Sequence, residues 1–261
     1  MKRVLLVLLL FLSVAEAKRA ALSERDLRTI NFEQKLNSQL SLALPFRDET
    51  GRVVKLGDYF GRKPVILVPG YYGCPMLCTL VLNGLIETLQ DLKGSVGERF
   101  EVINFSIDPE EKAELAAAKK SAYLRRYGRP GAAEGWHFLT GDGPAIQQLA
   151  AEIGFYYAYD PASGQFAHPS GFVVITPQGK VAHYFFGVGF AAKDLDAALA
   201  AAASNRADSP IRQFLLLCFH YSPITSKYGG LLLTLVRVCG VVTLLVLSVA
   251  IVRAIRARTP S

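Results

Sequence analysis

The chain has 261 residues, is 51% hydrophobic and carries a formal net charge of +7. That length admits one globular domain with additions, or two small domains, and four cysteines (Cys74, Cys78, Cys218, Cys239) rule out a scaffold stapled by disulfides. Lys2, Arg3 and Glu16 hold +1 of the charge and Arg253, Arg256 and Arg258 hold +3. The remaining +3, with no basic stripe among aromatics, gives no basis for nucleic-acid binding.

In chain order, Lys2 and Arg3 precede an apolar run from Val4 to Val14, and Ala15-Glu16-Ala17 has the small-x-small pattern of a cleavage site. Residues 1–17 therefore read as a secretory signal peptide, too short for a comfortable membrane span. Residues 18–41 form a polar leader with helical pattern, and the folded domain is expected over 42–204. Phe46 to Val54 reads as a hairpin turning at Glu49-Thr50-Gly51, and Lys63 to Tyr71 as a buried strand between Gly61 and Gly70. Leu82, Leu85, Ile86, Leu89 and Leu92 repeat at helical spacing and predict a helix over 79–92. Phe100 to Ile107 predicts a second buried strand, Glu110 to Tyr127 a helix stopped by Gly128, and Trp136 to Leu139 a short strand. Pro144 opens a helix to Ile153. A hairpin crosses Pro177-Gln178-Gly179, from strand 171–176 to strand 180–186, and an alanine-rich helix closes the domain over 193–203.

Strands and helices alternate first, then a hairpin and a helix follow. That order predicts an α/β thioredoxin-like fold, a central mixed sheet with helices on both faces. Residues 205–228 are a juxtamembrane segment broken by Pro210. Gly229 to Val252 is nearly all apolar and interrupted by Arg237. Its length as a helix is roughly 36 Å, enough to cross a bilayer. The basic tail 253–261 would stay in the cytoplasm. Together these signals predict an exported domain held by one C-terminal transmembrane helix.

The chemistry concentrates in Cys74-Pro75-Met76-Leu77-Cys78, between a buried strand and a helix. Backbone N–H groups and the positive end of the helix dipole favour thiolate there. Pro75 suits a first helical turn, and thiols four residues apart can face one side. The pair could hold a metal or form a disulfide. His168, in the loop before strand 171–176, would face the thiols in a thioredoxin layout. Two thiolates and one imidazole suit Cu(I), Cu(II) with an added oxygen or nitrogen donor, or zinc with a fourth ligand. Pro169 occupies the place of the cis-proline of thiol oxidoreductases, which keeps a redox reading of Cys74 and Cys78 open. Against it, those enzymes usually have two residues between their cysteines, not three. His137 and His183 read as packing residues, Tyr71 and Tyr72 as shields of the thiol loop. Cys218 and His220 could share a second metal only in an irregular loop, and Cys239 reads as a small buried residue within the span. No threonine and arginine accompany Cys74 in the grouping that peroxide removal requires.

Tyr72-Gly73-Cys74-Pro75-Met76-Leu77-Cys78, then Phe105-Ser106-Ile107-Asp108-Pro109-Glu110, then His168 four residues before Phe172-Val173-Val174-Ile175, resemble the Sco/SenC family of copper-handling proteins. The resemblance runs over roughly residues 40–204. Cys218-Phe219-His220-Tyr221 and Lys227-Tyr228-Gly229 look like a bacterial branch of that family. The resemblance implies a thioredoxin-like domain that binds copper through Cys74, Cys78 and His168; the export and anchor signals would place it on the periplasmic side of the bacterial inner membrane. It also implies a partner, the copper-bearing subunit of cytochrome c oxidase, whose binuclear site receives copper or has its ligand cysteines reduced. Other copper carriers or thiol reductants would complete the set of partners. Met76 stands where many members have Asp, and the C-terminal anchor departs from the N-terminal helix of most members.

Overall fold

The computed structural model describes Leu22, residues 24–207, and Val238, Gly240, Val242 and Thr243. The chain divides into two compact units between Asp208 and Ser209. The signal peptide, most of the juxtamembrane segment, nearly all of the apolar run, the basic tail, and Cys218, His220, Arg237 and Cys239 lie outside the described residues. Among the described residues no helix is long and apolar enough to cross a membrane.

The first unit is built on a five-stranded sheet. Its strands are β4 (Val65–Gly70), β5 (Glu101–Ser106), β6 (Trp136–Leu139), β10 (Gly171–Ile175) and β11 (Val181–Phe186). Their spatial order is β11-β10-β4-β5-β6. β4, β5 and β6 run parallel, while β10 is antiparallel to both β4 and β11. Parallel strands need a crossover, and helices supply it: α2 (Leu77–Gln90) between β4 and β5, and α3 (Ala113–Tyr127) between β5 and β6. The helix α4 (Gly143–Glu152) and the final helix α5 (Ala192–Ala203) flank the second half.

Side chains on a strand alternate between faces, and each central strand feeds two cores. Ile66, Val68, Val102 and Val174 meet Val81, Leu85 and Ile86 of α2, Tyr123 of α3 and Leu195 and Leu199 of α5. Val65, Leu67, Ile103, Val173 and Ile175 meet Ile146 and Leu149 of α4 on the opposite face. Burying one such Leu or Ile contributes roughly 1.5–3 kcal/mol. The sheet is thus covered on both sides, as the continuous apolar run of β4 requires. This is the thioredoxin-like mixed α/β arrangement.

The amino-terminal segment completes the second face. After a short helix, α1 (Glu24–Thr29), the pair β1 (Asn31–Phe32) and β7 (Phe155–Tyr156) lays Phe32 against Phe155, ring centroids 5.1 Å apart. Phe32 and Leu40 are buried in the same core as α4. The hairpin of β2 (Pro45–Arg47) and β3 (Val53–Lys55) turns through Asp48, whose carboxylate accepts the N–H groups of Thr50 and Arg52. Local hydrogen bonding of this kind is why Asp favours turns.

The helix expected from Glu110 begins at Ala113 instead. Asp108 takes the Glu110 N–H on its side chain at 2.9 Å, and the chain turns once before it can coil. A hairpin not foreseen from sequence, β8 (Ala158–Asp160) with β9 (Gln165–Ala167), crosses a turn at residues 161–164. Gly164 takes a left-handed φ of +69° there, and the Asp160 side chain accepts from Ala162 N–H and Ser163 Oγ. β9 leads directly into His168.

Candidate metal centre

β4 ends at Gly70, beneath the thiol loop. A Cβ at that position would lie 3.2 Å from Cys78 Sγ, so the absent side chain makes room for the sulfur. The chain then turns, with Cys74 N–H donating to Tyr71 O, and α2 begins at Leu77. Pro75 therefore lies in the loop rather than in the first helical turn. The reason is local: Met76 precedes the helix at φ −143°, ψ −71°, a non-helical pair, and has no side-chain cap of its own. The sulfur of Cys74 serves instead, accepting the Cys78 N–H at 3.3 Å. Cys78 Sγ accepts the Tyr71 N–H at 3.5 Å. Each sulfur thus faces a backbone donor, and both residues are buried. Met76 stands 68% exposed between them, at the outer rim of the site.

His168 comes from the other side of the cleft. Its Nε2 lies 3.1 Å from Cys78 Sγ and its Nδ1 lies 2.8 Å from Pro169 O. A carbonyl oxygen only accepts, so Nδ1 carries a proton and donates it there, which leaves Nε2 as the ring atom aimed at the sulfurs. The ring is held by Tyr71, edge-to-face at 5.9 Å, and by Phe155 at 5.8 Å; Phe166 of β9 packs on Tyr71 at 5.5 Å. Among the described residues every peptide bond is trans, that before Pro169 included. The donor atoms of Cys74, Cys78 and His168 all lie within 4.8 Å of one another. Among the described residues they form the one group of three or more ionisable side chains spaced to hold a single ion.

The sequence profile of the SCO1/SenC family matches residues 33–203. The chain belongs to the SCO1/SenC family. Solved structures agree on the fold. A proposed electron transfer protein of Aquifex aeolicus VF5 is similar with a TM-score of 0.57 at 26% identity, over 66% of this chain and 96% of that one. A SCO1/SenC family lipoprotein of Bacillus anthracis str. Ames gives 0.52 at 18% identity, over 65% of this chain and 98% of that one. BsSco, a member of the Sco family of cytochrome c oxidase assembly proteins with a disulfide switch, gives 0.50 at 21% identity, over 66% of this chain and 98% of that one. Among curated proteins, none matches this sequence.

Within this SCO1/SenC domain the two thiols are not equivalent. The hydrogen bond from the Cys78 side chain pulls the Cys74 thiol down to about 3, with help from His168 and the N–H groups of Cys78 and Met76, against the effect of burial. The same hydrogen bond and its own burial push Cys78 far above an ordinary thiol. One proton is therefore kept on Cys78 and the negative charge rests on Cys74. Burial and the nearby cysteines also hold the Tyr71 phenol protonated, its value being raised. The centre offers a thiolate, a protonated thiol and an imidazole nitrogen. All three are soft or borderline donors, fitted to a thiophilic cation.

The other histidines are elsewhere. His137 packs on Tyr59 with ring centroids 4.1 Å apart and lies 3.9 Å from Glu101; burial pulls its value down to about 4, so it is neutral. His183, on β11, packs 4.6 Å from Phe185. Tyr71 borders the site as expected. Tyr72 also lines the cleft with Cys78 and His168, but its ring packs against Phe138 in the opposite core and its hydroxyl donates to the carbonyls of Asn104 and Leu139. Successive residues leaving a strand point to opposite faces, which separates this pair. Sequence reasoning passed over Glu111, whose carboxylate accepts N–H groups of the thiol loop. It also passed over the Phe155–Phe166 support of His168. Asp160-Pro161 with Gly164, flanked by aromatics in alternation, was the signal for that second feature.

Proposed function

We propose that this protein is a copper-binding chaperone, anchored in the bacterial inner membrane, that passes copper to the binuclear site of the cytochrome c oxidase copper-bearing subunit. One observation carries the reading: two sulfurs and an imidazole nitrogen within 4.8 Å of one another in a SCO1/SenC fold. Cys74, Cys78 and His168 are the ligands, and the copper is cargo rather than a resident cofactor. Cu(I) suits three soft, low-coordinate donors. Binding displaces the Cys78 proton, and handover proceeds by exchange of one thiolate at a time onto the partner's cysteines. The apolar run Gly229–Val252 supplies the anchor and the signal peptide places the domain in the periplasm. The test is transfer: the Cu(I)-loaded chain, mixed anaerobically with the soluble copper domain of the oxidase subunit, should lose its metal to that domain. Retention of copper by the donor at equilibrium would count against the chaperone reading.

The inequality of the thiols supports a second reading, reduction of the oxidase's ligand cysteines. The Cys74 thiolate would attack a disulfide on the target and form a mixed disulfide. Cys78, losing its proton, would then displace the target's second thiolate. The target gains two electrons and leaves as a dithiol, and Cys74–Cys78 is left oxidised for an external thiol reductant. His168→Ala separates the readings: it should abolish copper loading under the first and largely spare disulfide reduction under the second.

A further inference from the structure

Glu111 lies outside the three-residue centre, on the loop between β5 and α3. Three donors converge on its two oxygens. Oε2 accepts from Tyr72 N–H at 2.7 Å and from Ser106 Oγ at 2.6 Å, and Oε1 accepts from Gly73 N–H at 2.5 Å. The two amides belong to the residues immediately before Cys74. The loop that carries Glu111 is itself braced. Ser106 Oγ accepts from Asp108 N–H at 3.1 Å, Asp108 Oδ1 accepts from Glu110 N–H, and Ile107 N–H donates to Gly70 O at 2.7 Å. The carboxylate therefore ties the amino-terminal side of the thiol loop to the end of β5.

The three members of the centre are held by different means. Cys78 is within helix α2 and His168 is supported by aromatic packing. Cys74 precedes the helix: its amide donates to Tyr71 O, while its other partners, the N–H groups of Cys78 and Met76 and the side chains of Cys78 and His168, all meet its sulfur rather than the backbone before it. What fixes the backbone leading into Cys74 is the carboxylate on Tyr72 and Gly73. We propose that Glu111 is a positioning residue for the metal centre: by clamping the Tyr72 and Gly73 amides it sets where the Cys74 sulfur sits relative to Cys78 and His168. This rests on the copper reading above for its consequence, though not for its geometry. A carboxylate is required, because glutamine would turn an N–H donor toward one of three donors already aimed at it.

The test uses the full-length chain, reduced and anaerobic, titrated with Cu(I) against a chromophoric chelator, with Cys74→Ser as the blank for copper held elsewhere. Glu111→Gln is isosteric and should lower Cu(I) affinity by about 10- to 100-fold, the range for a partner that orients a metal ligand. Ser106→Ala, which removes one donor and leaves both amides clamped, should lower it less. X-ray absorption of loaded Glu111→Gln should count fewer sulfurs per copper than in the wild type. Amide hydrogen exchange decides the geometry without copper. At Tyr72, Gly73 and Cys74 it should quicken about tenfold or more in Glu111→Gln, while exchange at Leu85 in the core of α2 is unchanged. Wild-type affinity in Glu111→Gln, or unaltered exchange at those three amides, overturns the proposal. If the wild type takes no more copper than the Cys74→Ser blank, the copper reading fails instead, and exchange alone still decides whether Glu111 holds the loop.

Discussion

At the scale of single residues, the site works by placing two chemically identical side chains in different surroundings. Cys74 and Cys78 share one proton, and its location on Cys78 follows from burial and from the donors around Cys74. Cys74 should therefore be alkylated by iodoacetamide at pH 6, with a rate nearly flat from pH 5 to 8, while Cys78 stays unmodified; peptide-resolved mass spectrometry reads both. Equal labelling would mean that the asymmetry is absent in solution. The same shift has a stability consequence. A thiol whose folded value is depressed stabilises the fold above its unfolded value near 9, and that stabilisation is lost as pH falls toward about 3. The reduced protein should gain Tm relative to Cys74→Ser as pH rises from 4 to 8. A difference that is flat or shrinks across that window would contradict the assignment. The thiol pair and His168 were legible in the sequence because their residue types are rare and their chemistry specific. Glu111 was not, because a glutamate in a charged stretch, Glu110-Glu111-Lys112, is indistinguishable from a solvated surface residue until the fold brings Tyr72 and Gly73 against it.

At the scale of elements, α2 carries Cys78, one of the three proposed ligands, and must seat accurately on the sheet. Gly84 is the place where it touches the segment after β11: a Cβ there would lie 1.8 Å from the Val188 carbonyl oxygen. The Thr88 hydroxyl lies 3.0 Å from Phe190 O on the same side. Gly84→Ala should destabilise the domain by about 1–3 kcal/mol through overpacking, despite alanine's better helix propensity, measured by chemical denaturation of the apo protein. A stabilised variant would show that the contact is looser than described. Elements with long apolar periodicity were read close to their ends: α2, β5, β6, α4 and the β10–β11 hairpin each begin and end within a few residues of expectation. The shortfalls have a common cause. β1 and β7 pair over two residues each, too few to show a period, and β8–β9 is three residues a side. α3 starts late because a side chain, Asp108, competes for a backbone donor, an event that periodicity does not register.

At the scale of the whole domain, the two halves of the candidate metal centre come from separate stretches of the chain, 90 residues apart between Cys78 and His168. The β4–α2 junction brings the sulfurs, and β9 followed by the trans His168–Pro169 peptide brings the imidazole. Both meet at the same end of the strands because β4 and β10 are antiparallel neighbours, which sets the close of β4 beside the start of β10. That adjacency is what the thioredoxin layout implied, and it is why a motif split across the sequence could be joined from the sequence. Loading should depend on acidity in a defined direction. Under the proposed ligation Cu(I) would displace a proton from Cys78, so affinity should rise with pH between 5 and 8, by up to about tenfold per unit where one proton is released. A pH-independent affinity would mean that Cys78 is not a ligand.

The most direct measurement is an anaerobic Cu(I) titration of the reduced full-length chain beside Cys74→Ser, Cys78→Ser and His168→Ala. The account predicts one Cu(I) held by the wild type at the site. Each substitution should cost more than the roughly 10- to 100-fold of an outer-shell change, with His168→Ala behaving like the two serine variants. Wild-type affinity in His168→Ala, or in either serine variant, would contradict it.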